Sequence, residues 1–321
     1  MNLLSPDVIA ILILDTIFFI FASLAFIISI QIVRKWEIEA TTPLQYILEK
    51  RAYLVATIIK YIFYFKLPLF LYFIYTLDML SNILPGAMCA AGVTNATIYG
   101  MPLFMVKIFD LYLFGFWLVV NYIDMKKPDY PFTKLKFLFF ILIFPILAIE
   151  TVLEILHLGG INPQVIVSCC GTLFSAAKSS SVSIFIDLPN YLILSIFYAN
   201  FLLIFLSYLY KKAFLTALFN AMFIPVAIVS LIVFFSTYIY EMPHHHCPFC
   251  LLQSDYNYIG YLLYITLFGG TFFGISAYIS EKLSYKTSKK WLKISMILDT
   301  LYVILVSYFP VSFYFKNGVW L

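Results

Sequence analysis

The sequence predicts an all-α, polytopic transmembrane helical bundle of about eight spans, with both termini on the non-cytoplasmic side. Three observations predict it. Apolar residues make up 63% of the 321-residue chain and charged residues only 11%, against about 25% charged in soluble domains. The apolar residues fall in long continuous runs, and roughly 20 such residues are what a helix needs to cross a hydrocarbon core of about 30 Å. The basic residues are sorted between alternate loops, the mark of a fixed orientation in the membrane.

By length and apolarity the spans run approximately 8–33, 53–79, 102–123, 135–158, 190–210, 213–240, 257–280 and 292–315. They are helices rather than strands because the runs are continuous, not alternating segments of about ten residues. The first begins near Val8 with no basic residue before it and no small-residue cleavage site, which reads as a retained span and not a signal peptide. The second is interrupted by Lys60 and Lys66, a pattern of snorkelling lysines on a tilted or interfacial helix. Pro145, Pro225 and Pro310 imply kinks, and Gly269 and Gly270 allow close helix approach. The whole chain, 1–321, reads as a single integral membrane domain.

Orientation follows from the loops. Arg34, Lys35, Lys50 and Arg51 follow the first span, and Lys126, Lys127, Lys134 and Lys136 the third. Lys211 and Lys212 follow the fifth, and Lys282, Lys286, Lys289, Lys290 and Lys293 the seventh. The intervening loops and both chain ends hold only Lys178 and Lys316. Basic loops face the cytoplasm, so the outer, periplasmic-type loops are those at about 80–101, 159–189 and 241–256. Basic residues sorted by side do not form a nucleic-acid patch, which excludes nucleic acid as a partner and leaves the lipid bilayer. Few charges, a short chain and short loops are expected of a multi-pass bacterial inner-membrane protein.

All five cysteines fall in those outer loops: Cys89 in the first, Cys169 and Cys170 in the second, Cys247 and Cys250 in the third. Cysteines used only as small hydrophobes would scatter through the spans. Their segregation to one side points to redox or metal chemistry. The sharpest motif is Cys247-Pro248-Phe249-Cys250, a spacing that closes a small disulfide ring and often depresses a thiol pKa. Vicinal Cys169 and Cys170 bond each other only through a strained ring; alternatively one of them bonds Cys89. The histidines His244, His245 and His246 precede the motif; they cap the sixth span and meet water, or lower the thiol pKa beside them as cations.

The segment Cys247-Pro248-Phe249-Cys250-Leu251-Leu252-Gln253, followed by an aromatic helix, resembles the first cysteine pair of the DsbB-type disulfide oxidoreductases. It is also similar to the Cys-x-x-Cys of the vitamin K epoxide reductase class. The likeness covers about ten residues, and Ser254 stands where the DsbB pattern has an arginine. The resemblance implies a membrane thiol–disulfide oxidoreductase relaying electrons between an outer-side thiol protein or small thiol and a quinone. Cys247 and Cys250 are then the quinone-side pair, with Gln253 beside the quinone. Cys169 and Cys170, with Cys89, are the candidate relay.

Two other classes stay open. His244, His245, His246, Cys247 and Cys250 place five thiolate or imidazole ligands within seven residues, a set suited to zinc or copper. Adjacent cysteines at the mouth of a helix are similar to those of mercury-transport membrane proteins. The third class is a non-catalytic subunit of a membrane complex, its cysteines forming plain disulfides. Within the spans lie Asp15, Asp110, Glu150, Glu154 and Asp299, with Lys107 close to Asp110. Glu150, Glu154 and His157 follow i, i+4, i+7 spacing and share one helix face. That face carries protons for quinone chemistry or binds a cation, or it is a buried structural network with Lys107; a local Lys107–Asp110 pair is the simplest form of it.

Overall fold

The computed structural model describes residues 5–37, 42–167, 188–283 and 288–321. It is all-helical among these residues, and eight of its helices are long and apolar enough to cross a membrane. They are α1 (Pro6–Lys35), α2 (Pro43–Ser81), α3 (Gly100–Met125), α4 (Thr133–Gly160), α5 (Asn190–Leu209), α6 (Ala213–Tyr240), α7 (Ile259–Lys282) and α8 (Ser288–Asn317). Each coincides with one expected span. The exception in extent is α2, whose 39 residues take Lys50 and Arg51 out of the preceding loop and into the helix.

Local chemistry sets the helix starts. Ser5 Oγ accepts a hydrogen bond from the Val8 amide, and Thr42 Oγ1 from that of Gln45; proline follows each cap, where its missing N–H costs nothing. Pro68, Pro145, Pro225 and Pro310 lie inside helices that continue past them. Large apolar side chains such as Ile13, Ile20, Leu24, Leu142 and Ile149 stand exposed. In water such surface would drive aggregation; in a bilayer it is the lipid-facing side.

The chain divides into two compact units. The first holds α1–α4. There α1 packs on α2 and α4, and α3 on α2 and α4, around an aromatic core in which Phe63 stacks on Phe114 at 4.3 Å and meets Trp117 edge-on at 5.3 Å. At the turn between α3 and α4, Lys136 is buried against Asp124 at 2.7 Å. Asp124 also accepts from the Phe132 amide and from Thr133 Oγ1, and Trp117 Nε1 donates to the Lys136 carbonyl. Lys136 is therefore a structural clamp as well as one of the loop cations.

The second unit holds α5–α8 together with Gly86–Gly92. Here α7 packs on α6 and α8, and α5 on α6, with the Phe197 ring meeting those of Phe223, Phe235 and Tyr302, and Phe223 meeting Tyr302. α7 approaches α8 closely at Gly270: a Cβ there would lie 2.1 Å from the buried Asp299 carboxylate and 3.1 Å from its backbone nitrogen. The expectation of close approach at this glycine is met.

Removing one partner of a buried ion pair strands the other charge, at a cost of about 3–5 kcal/mol. Lys136→Met should therefore lower the thermal midpoint in detergent sharply, while the double variant Lys136→Met, Asp124→Asn should recover most of the loss. Equal midpoints for the two variants would show that the pair does not hold the α3–α4 turn.

Candidate functional site

Three of the five cysteines converge in the second unit. The sulfurs of Cys89, Cys247 and Cys250 all lie within 4.8 Å of one another, and all three residues are buried. Cys89 Sγ and Cys247 Sγ are 3.7 Å apart, in contact but beyond the bond length of about 2.05 Å of a disulfide. Cys169 and Cys170 lie outside the described residues.

The path that brings them together starts at the end of α6. A π-turn at Leu231–Phe235 widens the helix, and such turns release carbonyls from the regular ladder. The Ile232 carbonyl is met by His246 Nδ1 at 2.9 Å and by Ser236 Oγ at 2.8 Å. The helix then stops at Glu241, which adopts a left-handed conformation with φ 53°. The chain folds back, so that Tyr240 Oη donates to the Cys247 carbonyl and Tyr264 Oη, from α7, to the Pro248 carbonyl at 2.7 Å. The motif thus has its backbone held by two tyrosines, with Phe249 and Leu251 buried beside it. Cys250 opens a single 3-10 turn, Cys250–Leu252, and α7 itself begins nine residues after it. The pair is set on an irregular loop rather than on the first turn of the span.

Cys89 enters from the segment after α2. Gly86 turns that chain with φ 87°, and a side chain there would collide with the Val167 carbonyl, 2.5 Å from the Cβ position. Only glycine satisfies both demands. Gln253 Nε2 donates to the Met88 carbonyl at 3.1 Å, tying the residue before Cys89 to the loop that carries the other two cysteines. Gln253, which the resemblance sets beside a quinone, braces the sulfur cluster through this bond.

The histidine row separates. His244 is exposed, His245 half-buried and His246 buried. His246 engages Ile232 through Nδ1, and the cluster of three sulfurs includes no histidine among the described residues. His245 packs edge-on against Tyr240 at 4.3 Å and lies within electrostatic reach of Cys89. Burial pushes its imidazole below the ordinary value, and Cys89 pulls the other way. Burial lowers His246 as well, against the hydrogen bond to Ile232. Both rings are therefore neutral near pH 7, so neither serves as the cation expected to favour a thiolate. No protein-family model, curated protein or solved structure matches the chain. The site has to be read from its own chemistry.

The acidic residues expected beside a quinone fall in the first unit. Glu150 and Glu154 share a face of α4 with His157, as their spacing requires, but their partners come from other helices. Lys66 of α2 lies 2.6 Å from Asp15 and 3.1 Å from Glu150. Lys107 of α3 lies 2.7 Å from Glu150, 3.2 Å from Glu154 and 3.6 Å from Asp15. Lys66 is buried and does not snorkel. Lys107 forms no ion pair with Asp110, its neighbour on the helix, among the described residues; in place of that local pair stands a network across four helices. His157 is buried with Nδ1 2.7 Å from Thr97 Oγ1.

Two outcomes follow. With Cys250→Ser removing the competing partner, mild oxidation should join Cys89 to Cys247 across the two loops, read as a linked peptide pair by mass spectrometry. Gln253→Ala should slow that linkage several-fold; an unchanged rate would mean that the brace does not align the sulfurs. Neutral buried imidazoles also bind fewer protons than the unfolded chain does below about pH 6.5. Thermal stability should then fall as the pH drops through that value, and the double variant His245→Gln, His246→Gln should flatten the slope.

Proposed function

We propose that the protein is a membrane thiol–disulfide oxidoreductase in which Cys247 and Cys250 are the working pair and Cys89 is the adjoining relay. The observation that carries this reading is the 3.7 Å contact between Cys89 Sγ and Cys247 Sγ beside Cys250. A Cys-x-x-Cys pair alone stores two electrons; a third sulfur in contact gives them a path. Attack of the Cys89 thiolate on the Cys247 sulfur of a Cys247–Cys250 disulfide forms a Cys89–Cys247 disulfide and releases Cys250 as a thiolate. A dithiol at Cys169 and Cys170, itself reduced by the outer-side thiol partner, then reduces the Cys89–Cys247 bond and is left as a disulfide. Reoxidation of the Cys247–Cys250 dithiol passes two electrons and two protons to a quinone-like acceptor, giving the quinol. The net reaction converts a dithiol and a quinone to a disulfide and a quinol.

Burial supports the same reading. Cys89 and Cys247 are fully buried and Cys250 is 5% exposed, so a bulky protein thiol does not collide with them directly. Cys169 and Cys170, proposed as the outer relay, are the residues through which such a thiol would hand over electrons. An acceptor dissolved in the bilayer fits a site flanked by Phe249 and Leu251.

A second reading has its own observation. Sulfurs bound to one tetrahedral zinc at about 2.3 Å lie about 3.8 Å apart, close to the Cys89–Cys247 spacing. A thiolate-bound zinc or copper ion held by Cys89, Cys247 and Cys250 is thus the alternative occupant.

One preparation separates the two. Protein purified without reductant is analysed for metal, alkylated to trap thiols, and assayed for thiol-dependent quinone reduction. The oxidoreductase predicts a Cys247–Cys250 disulfide, turnover with a quinone, and loss of at least 100-fold of that turnover (~2.7 kcal/mol in barrier) in Cys247→Ser and Cys250→Ser. Cys89→Ser should retain the quinone half-reaction and lose exchange with thiols. Stoichiometric metal that blocks alkylation of all three cysteines, with no turnover, would replace this proposal with the metal centre.

A further inference from the structure

The first unit carries a second built site, in which four acids meet two bases inside the spans. Asp15 of α1, Lys66 of α2, Lys107 and Asp110 of α3, and Glu150 and Glu154 of α4 are all buried. With every group ionised the cluster holds four negative charges and two positive ones, a net −2. Water does not supply the missing charge in a membrane interior, and an unbalanced buried charge is strongly disfavoured there.

The contacts show where the balance is made. Asp15 and Glu154 are within hydrogen-bonding reach of each other, carboxyl to carboxyl. So are Asp110 and Glu150. Two carboxylates have no hydrogen to share and repel; one proton between them turns each pair into a donor and an acceptor. Asp110 makes the point most sharply. It is 0% exposed, it forms no ion pair among the described residues, and neither of its oxygens has a hydrogen-bond donor. Its neighbour across the gap is the Glu150 carboxyl. Two acid pairs and a deficit of two charges give the same count.

We propose that this cluster is a two-proton binding site, with one proton shared in the Asp15–Glu154 pair and one in the Asp110–Glu150 pair. Protons fit better than a metal ion. Lys66 and Lys107 already occupy the cation positions, at 2.6 Å to 3.6 Å from the oxygens of Asp15, Glu150 and Glu154, and would repel a further cation. A narrow crevice lined by Lys66, Lys107, Glu150, Phe70 and Phe114 adjoins the cluster, with room for about one water molecule. His157 lies one turn beyond Glu154 on α4, toward the helix end remote from Lys134 and Lys136. It is fully buried, with Nε2 unpartnered among the described residues. It is the next group on that face able to take or give a proton. The site therefore pairs a proton store with an exit along one helix face, and it stands independently of the sulfur chemistry in the other unit.

The test is difference infrared spectroscopy on the full-length protein reconstituted in lipid at neutral pH, in water and in D2O. The expected result is a protonated-carboxyl C=O band that shifts on deuteration. Measured in an Asp299→Asn background, which removes the other buried carboxyl without an ion pair among the described residues, Asp110→Asn and Glu154→Gln should each remove about half of it, and the two together nearly all. Lys107→Met, which deletes one positive charge, should raise the band by about half. The asparagine and glutamine variants keep size and polarity, so they carry the test if the methionine variant does not fold. Absence of the band at neutral pH, a band untouched by Asp110→Asn and Glu154→Gln, or its loss on adding sodium or calcium ions would each overturn the proposal.

Discussion

Lys107 has one ammonium group and three carboxylate partners, on two other helices. That arrangement governs the first unit. Between helices in hydrocarbon the hydrophobic effect offers little, because lipid tails are as apolar as leucine. What selects one packing of α1–α4 is the interlocking of rings such as Phe63, Phe114 and Trp117, together with the need of each buried charge for its counter-charge. Lys66 and Lys107 meet that need by drawing Asp15, Glu150 and Glu154 to one point. A shift of any of the four helices by one turn, about 5.4 Å, would break those contacts. The acids are thus part of the fold and of the proposed site at once.

The second unit solves a different problem, that of holding irregular backbone close to the membrane. A loop with unmet carbonyls is costly there. The cysteine loop has its carbonyls met one by one: Cys247 by Tyr240, Pro248 by Tyr264, Met88 by Gln253. The π-turn in α6 adds a carbonyl for His246. Aromatic hydroxyls do well here because an apolar ring packs in the unit while its tip reaches the backbone. The abundance of tyrosine in the chain, 25 residues, has at least this use.

Run length and apolarity made the eight spans legible, and they recur in the structure to within a few residues apart from the start of α2. The Cys-x-x-Cys motif was legible too, as was the shared face of Glu150, Glu154 and His157. Partners distant in sequence were not. Lys66 meets Glu150 across 84 positions, and Cys89 meets Cys247 across 158; no local spacing encodes either. Lys66 looked like an interruption of a span because its counter-charges sit on helices that only tertiary packing brings near. The chemistry of Gln253 and His246 is visible in sequence, whereas the backbone carbonyls of Met88 and Ile232 that they meet are not. Asp110 looked like the partner of Lys107 because they are three residues apart, yet a lysine stem reaches carboxylates on another helix as readily as on its own.

The length of α2 has a mechanical side. Its 39 residues make a rod of about 58 Å, and even tilted by about 40°, the upper end of what spans adopt, it covers about 45 Å along the bilayer normal. That is the thickness of a membrane with both headgroup layers included. One helix therefore threads two dielectric regimes. Its first turns carry exposed Tyr46 and Tyr53, with Lys50 over the Tyr46 ring at 4.5 Å, the chemistry of a headgroup layer. Lys66, midway along, is sealed from solvent. Amide hydrogen exchange along this single element should then grade from fast near Pro43 to nearly frozen at Lys66. Thinning or thickening of the bilayer would be taken up by a change in its tilt, which makes α2 a lever between the lipid and the buried charges it helps to hold.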